Sequence, residues 1–479
     1  MKTIIVPKRS QRGSILVVSL VITFIIGITL ASYLIMTQSQ NVSVARSQTW
    51  NASLALSEAG VEDALAMLNK NKTTGELLYN WTNSTSDCNW QHLSATLYHV
   101  RRYLGSNYYD AYITNLNDTP TIFSVGVVAW NYSFAAAPQS FFAAAGVGSS
   151  SRAAVRNLEV RTQMDSLFNV AMAALGAIDL KGNGIASDSF DSSDPNYSTG
   201  GLYDRLKRKA GGDIVTNNTI TNSVLNVGNA NIAGHIKTGP KGSIAQGPND
   251  SVGDLDWVNS NTLGIKPGWS ANDLNVVFDN VVLPDVTWWP AAGPSTGGSA
   301  LAPNGKVYDH VFTSPFNTYT SPGNYTINDS GDIYVGTNVS VRLNITAGTF
   351  NPNNIYVAGV KANEVGKLVG YLNGPPGQNV VLGTDDKTQS GKAENLAFLG
   401  LPNCNALAYK GNGDFTGVIY APGADFQLAG GGSGIIDFNG SSVTRTVQMN
   451  GHYNFHYDEN LRHVGPGRGY IPTNWKEVP

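Results

Sequence analysis

The side chains with chemistry to offer gather near the end of the chain. His452, His456 and His463, with Asp458 and Glu459 beside them, are its densest run of metal-capable groups. A His-x₃-His pair ligates zinc when it lies on one helical face and a third ligand joins it. Here Tyr453, Asn454 and Phe455 fill the spacing and read as strand or closing turn. Local hydrogen bonds that cap the last element are therefore the better reading. Gly430-Gly-Gly-Ser-Gly434 with Asp437 has the composition of a calcium loop, but the spacing is wrong for the nonapeptide repeat and occurs once. Asp250, Asp254, Asp385 and Asp386 read as solvated loop acids.

Nucleophilic catalysis has no firmer footing. The chain holds no Gly-x-Ser-x-Gly elbow between a strand and a helix, no phosphate-cradling Gly-x₄-Gly-Lys-Ser/Thr and no dinucleotide fingerprint. A polysaccharide-cleaving site would draw on Lys361, Glu364, Lys367 and Asp385, which are scattered. Trp257, Trp269, Trp288 and Trp289 could stack on sugars, although burial is the commoner use of tryptophan. Asn-x-Ser/Thr triplets at Asn71, Asn131, Asn196 and Asn344 follow from the abundance of those residues. The expectation is a non-catalytic protein with no metal and no cofactor.

Composition narrows the class. A length of 479 residues suggests two to four domains. Charged residues are 14%, below the roughly 25% of typical soluble chains, and the 52 glycines are many. A net charge of −3 gives no electrostatic case for nucleic acid. Arg205, Lys207, Arg208 and Lys209, the one basic cluster past the first residues, read as a solvated loop. Cys88 and Cys404 are either one long-range disulfide or two separate thiols, and two cysteines make no framework.

The element that must position everything else is the N-terminal stretch. Between Ser14 and Met36 no side chain is charged, and the next charge is Arg46. As a helix this run spans roughly 35 Å, enough for a hydrocarbon core of about 30 Å. Ile15, Leu16, Val17, Val18, Phe24, Ile25, Leu30 and Leu34 would face lipid. Lys2, Lys8, Arg9 and Arg12 precede the run, which predicts a cytoplasmic N-terminus and an outward remainder. Trp50, Leu54, Val61, Leu65 and Leu68 then recur at helical spacing, with Glu58, Glu62 and Asp63 between them, so an amphipathic helix continues beyond the membrane. Leu54, Glu58, Val61 and Leu65 mark the face for helix assembly.

Arg12-Gly13-Ser14, the run Ile-Leu-Val-Val-Ser-Leu-Val-Ile at 15–22 and Leu54-Ala-Leu-Ser-Glu-Ala-Gly60 together resemble a type IV pilin precursor. The resemblance is closest to the PilX-type minor pilins and the pseudopilins of type II secretion, and covers roughly residues 8 to 70. It implies cleavage by prepilin peptidase between Gly13 and Ser14, methylation of the new N-terminus, and partners among other pilin or pseudopilin subunits in the inner membrane. Major pilins carry glutamate at the fifth mature position, where this chain has Val18. A lone carboxylate in a bilayer needs a partner, and a subunit without it suits a minor or tip position.

Beyond the helix, residues 71–165 read as a small α+β head. Strand-like runs lie at Leu97–Tyr103, Asp110–Thr114, Thr121–Trp130 and Ala153–Thr162, and Ala135–Ser151 reads as an exposed loop. Leu167–Leu180 reads as a short buried helix leading into a strand, the hinge to a passenger at 166–465. There, short apolar runs alternate with Asn/Gly/Asp/Ser turns, and Lys181-Gly-Asn-Gly184 is echoed by Lys410-Gly-Asn-Gly413. Glycine at tight corners favours a β-solenoid over a sandwich. Asp188–Pro195, Gly413–Pro422 and His456–Glu459 also resemble an uncharacterised domain often appended to PilX-type N-termini. The Trp- and Pro-rich stretch 254–320 reads as an insertion, 1–13 as a leader and 466–479 as a C-terminal tail. The whole is expected to be mainly β: a transmembrane and amphipathic helix at 14–70, a head, and a solenoid displayed for adhesion, with surface polysaccharide as a further partner. The competing reading is a membrane-tethered carbohydrate-binding or carbohydrate-active solenoid of the cell envelope.

Overall fold

A computed structural model describes residues 14–69, 90–94, 97–115, 119–130, 152–180, 182, 184–217, 224–240, 242–291, 300–313, 323–358, 365–382, 392–411, 413–430, 434–464 and 467–478. They fall into two compact units. One lies within Met1–Met67, Asn80–Thr162 and Pro472–Pro479, the other within Leu68–Tyr79 and Gln163–Ile471.

The first unit is a helix and the sheet that clasps its upper part. Helix α1 (Ser14–Leu68) runs 55 residues without a break. Strands β1 (Gln91–Ser94), β2 (Leu97–Leu104), β3 (Asn107–Thr114), β4 (Thr121–Trp130) and β5 (Arg152–Ser166) form an antiparallel meander. The stretch expected as a tail is instead a strand, Gly467–Val478, sixth in that sheet and next to β5. Its Tyr470, Ile471, Thr473, Trp475 and Val478 supply the β-branched and aromatic content an edge strand needs. The sequence between β5 and this strand belongs to the second unit, so the passenger is inserted into the chain of the head. The helix-facing core holds Val61 and Ala64 from α1 with Val100, Ala111, Ile113, Ile122 and Val160, all essentially inaccessible.

The second unit is a stack of parallel coils, a β-solenoid. Its first coil is β6 (Met172–Ala174), β7 (Ile178–Asp179) and β8 (Ala186–Phe190). The next is β9 (Ile214–Thr216), β10 (Val224–Gly228) and β11 (Asn231–Ala233), in parallel register on it. Ile236–Lys237, Ser243–Gln246 and Ser251–Gly253 continue the stack. Past the strandless run 272–288, the chain builds again from Trp289–Pro290 and Gly323–Ile327 through Ser340–Ile345, Lys367–Leu372, Leu396–Gly400, Phe415–Leu428 and Ile436–Met449. This series ends on the first coil. Ser442–Thr444 pairs with β6, Val447–Gln448 with β7 and Tyr453–Asp458 with β8. Stack order therefore departs from chain order, and the first coil lies inside the stack.

Stacking in register turns identical positions into ladders. Phe415, Phe438 and Phe455 stack at centroid distances of 4.5 and 4.2 Å in the core. The corners explain the echoed Lys-Gly-Asn-Gly runs. A Cβ on Gly182 would lie 2.4 Å from the Gly451 carbonyl oxygen, one on Gly451 2.5 Å from that of Gly430, and one on Gly430 2.4 Å from that of Gly411. These glycines form one column down a single corner, where only a residue without Cβ lets successive coils approach.

Two further expectations are corrected. Leu167–Leu180 contains strands β6 and β7 and no helix. Its continuous apolar run suits either element, but β6 is paired on both sides, which requires extended backbone. The 254–320 stretch is no simple insertion. Gly264–Ile265, Ser270–Ala271, Trp289–Pro290 and His310–Phe312 all join parallel ladders.

Candidate functional site

Among the described residues, none buries the lower half of α1, whose side chains are exposed. Ile15, Leu16, Val17, Val18, Phe24, Ile25, Leu30 and Leu34 are between 53 and 76% exposed. Among the described residues α1 is the one helix long and apolar enough to cross a membrane. Its few hydroxyls are turned inward. Ser19 donates to the Leu16 carbonyl, Thr23 to Ser19, Thr29 to Ile26 and Thr37 to Tyr33, all at 2.8–2.9 Å. A helix in hydrocarbon must satisfy its polar groups within itself, and these bonds do so. Ser19, Thr23, Gly27 and Ala31 recur every four residues, flanked by Leu16, Leu20, Phe24 and Ile28 along a shallow groove.

The upper half is held by small residues. Ser53, Ser57, Gly60, Val61 and Ala64 are buried and share one side of the helix at three- and four-residue steps. They face β4, whose inward positions Ser124 and Gly126 are also small. The backbones touch there: a Cβ on Gly126 would lie 2.1 Å from the Ser53 carbonyl oxygen and 2.6 Å from the Ser57 nitrogen. Ser57 makes the joint specific. Its hydroxyl accepts from the Gly126 N–H at 3.0 Å and shares its one proton between the Arg156 carbonyl at 2.8 Å and the Ser53 carbonyl of its own helix at 2.9 Å; Gly126 and Arg156 face each other across β4 and β5.

Charges fix the rim. Asp63 accepts from Arg102 Nε at 2.6 Å, Arg102 Nη2 at 3.3 Å and the Tyr109 hydroxyl at 3.0 Å. Burial, reinforced by Asp63, pushes the Tyr109 phenol up to about 12. Arg156 lies over the Trp50 ring at 4.9 Å and also pairs with Glu477 of the C-terminal strand.

Of the residues expected to serve helix assembly, Val61 is fully buried against the chain's own head. Leu54 and Leu65 are half-buried and Glu58 is exposed, so these three border the free side of the helix. Ser14 opens α1, while Gly13 lies outside the described residues. Sequence reasoning missed Ser57, Gly126 and the Asp63–Arg102 pair. The signal was the four-residue recurrence of Ser53, Ser57 and the nearby Gly60, small side chains that mark close approach and not a weak core.

The histidines at the end of the chain do not converge on a metal. No group of three or more His, Cys, Asp or Glu among the described residues could hold one. His456, only 3% exposed, places Nδ1 2.5 Å from Asp188 Oδ1 and Nε2 3.3 Å from Asp437 Oδ1. Tyr203 stacks on it at 3.6 Å and donates to Asp188 Oδ2 at 2.8 Å. Burial opposes charge on His456, but hydrogen bonds to the two carboxylates outweigh it and hold the imidazole above its usual range. Nearby, Lys209 pairs with Glu459, which also accepts from the Ser189 hydroxyl. These groups are spent on one another.

The remaining sequence candidates disperse. Asp254 caps the helix α2 (Leu255–Asn259) at the Trp257 N–H and pairs with Lys266. Burial pushes the Asp250 carboxyl up. Trp269 stacks on His235 at 4.3 Å and Trp288 meets Tyr371 edge-on, while Trp289 is exposed. Asn344 is buried and accepts from Asn373. Cys404 is buried, which pushes its thiol up to about 12. Cys88, Asn71, Asn131, Lys361, Glu364, Asp385, Asp386 and the Ala135–Ser151 loop lie outside the described residues.

Comparison with known proteins adds little beyond the geometry. A family described as Domain of unknown function (DUF7305) matches residues 309–464, the later coils of the solenoid. No curated protein matches the chain. Among solved structures, the competence-associated pilin ComZ from Thermus thermophilus is similar at 10% identity, over 89% of this chain and 97% of that one. Its TM-score of 0.26 is too low to bear on fold or function.

Proposed function

We propose that this chain is a non-catalytic, pilin-like minor subunit that stands in the inner membrane on α1 and presents its solenoid outside the cytoplasm. The supporting observation is one uninterrupted helix in two regimes. Its lower half is uncharged, exposed and internally hydrogen-bonded, and its upper half is clasped by the head through small residues. A simple anchor needs only the first. The second keeps the helix rigid across the point where it leaves the bilayer, as a subunit that packs by its helix requires.

In this reading the basic residues before Arg12-Gly13-Ser14 hold the N-terminus inside, and prepilin peptidase cuts after Gly13 and methylates Ser14. Leu54, Glu58 and Leu65 then face neighbouring pilin or pseudopilin subunits, and the membrane segment packs among their helices. Val18, where major pilins have glutamate, suits a minor or tip position in this reading. The solenoid serves adhesion or surface display, with surface polysaccharide a candidate ligand.

The test is the intact mass and N-terminal sequence of membrane-extracted protein, made with and without prepilin peptidase. A mature N-terminus at Ser14, appearing only with the peptidase, is expected. An unchanged leader under both conditions would overturn the assembly reading and leave an anchored β-domain.

A further inference from the structure

The solenoid closes where its last coil meets its first, and one histidine sits in that joint. His456, on the strand Tyr453–Asp458, is the register partner of Asp188 on β8. The groups around it come from every element packed there. Asp188 comes from β8, Asp437 from the strand Ile436–Met449, and Tyr203 and Arg208 from the segment 191–213 that runs on from β8. On its own strand, Asn454 donates to Asp437, Asp458 accepts from the backbone N–H groups of Ser192 and Asn460, and Glu459 is paired with Lys209.

Proton counting selects the form of the ring. A neutral imidazole has one N–H donor and one lone pair, so it can donate to one carboxylate while its other nitrogen meets the second lone pair to lone pair. Both nitrogens of His456 face carboxylate oxygens. Only the doubly protonated ring donates to both. With Arg208 3.4 Å from Asp188, the imidazolium brings the site to two cations and two carboxylates, and loss of its proton leaves an excess of negative charge beside a buried ring.

We propose that His456 is a buried imidazolium clamp that reinforces the closure of the last coil on the first, and that its deprotonation weakens the joint, making coil closure a pH-sensitive latch. The sign follows from linkage. The two carboxylates hold the folded histidine above its usual range. Its contribution is therefore complete below the ordinary histidine pKa of about 6.5 and is lost as pH rises through the folded value. The 191–213 segment shares the latch, because Tyr203 lies flat on the ring and Arg208 on its partner.

The test is histidine-selective NMR of the full detergent-solubilised chain from pH 5 to 10, beside thermal melting over the same range. One imidazole, identified by its absence in His456→Gln, is expected to stay doubly protonated above about pH 6.5, the ordinary histidine value. The melting temperature of the wild type should fall across that late titration. Asp437→Asn removes one acceptor from a partly exposed position and should lower the His456 midpoint by about one pH unit, as loss of a close opposite charge does. The melting step should move with it. A His456 signal that is neutral at pH 7, or a melting profile that Asp437→Asn leaves in place, would overturn the proposal, and the second variant decides even if His456→Gln fails to fold.

Discussion

Exchanging Ser57 for alanine removes one hydroxyl that serves two strands at once. It would leave the Gly126 N–H and the Arg156 carbonyl without the partner each now has, at 3.0 and 2.8 Å. Ser57 and Ser124 are both 0% exposed, so bulk water does not reach the contact. One buried backbone group left unmet costs about 1–3 kcal/mol; the Gly126 N–H loses its acceptor outright and the Arg156 carbonyl a proton shared with Ser53, so the expected loss is about 1–3 kcal/mol. Ser53→Ala is the matched control. Its hydroxyl donates only to Trp50 within the helix, at 2.8 Å, so the loss should stay below about 0.5 kcal/mol. Hydrogen exchange of the full chain in detergent, followed by mass spectrometry over 53–64, 121–130 and 152–162, reads the opening free energy of that contact. Equal losses from both variants, or none from Ser57→Ala, would refute the argument that the hydroxyl, and not small size alone, locks helix to sheet.

Gly126→Ala drives a methyl group to within 2.1 Å of the Ser53 carbonyl oxygen, and overpacking of this kind typically costs about 1–3 kcal/mol; exchange across the same peptides should rise. Gly451→Ala sets a methyl group 2.5 Å from the Gly430 carbonyl oxygen at the glycine corner, and should lower the solenoid's melting temperature while leaving exchange in β2–β4 unchanged. Cys404, buried with its thiol pushed up to about 12, should resist a maleimide at pH 8 in the native protein and react only after denaturation. Replacing Gly13 with a bulky residue should abolish the peptidase-dependent mass change while the protein still reaches the membrane fraction, checked by intact mass.

Local pattern carried most of the fold. The β4 run Thr121–Trp130 and the coil strands near 214–216 and 340–345 are β-branched or alternating, and their bounds follow from that. The exposed helix announces itself by the absence of charge. What escaped was long-range. Nothing near Met172 says that its ladder partner is Ser442, and nothing near Gly467 says that the strand there belongs beside β5. Which face of β4 meets the helix was not legible, for a physical reason. Phe123, Val125 and Val127 lie on the half-buried side, and the side that meets the helix is Ile122, Ser124, Gly126 and Val128. Close backbone approach outranks apolar bulk there. In the same way the Asp188–His456 contact joins residues 268 positions apart, beyond any spacing rule.

That closure also has a consequence in time. In an ordinary coil stack each turn needs only its predecessor, so the structure can grow behind a chain emerging from a translocation pore. Here one edge of the 172–190 coil awaits the segment 436–458, and an unpaired strand edge readily joins other strands. Closing so long a loop is slow, because the entropy of the loop is lost before the contacts form. A passenger that emerged in chain order behind an anchored α1 would expose that edge for most of its passage. Folding yield in the cell should then depend on how fast the chain emerges and on chaperones that cover strand edges, more than on the final stability of the stack.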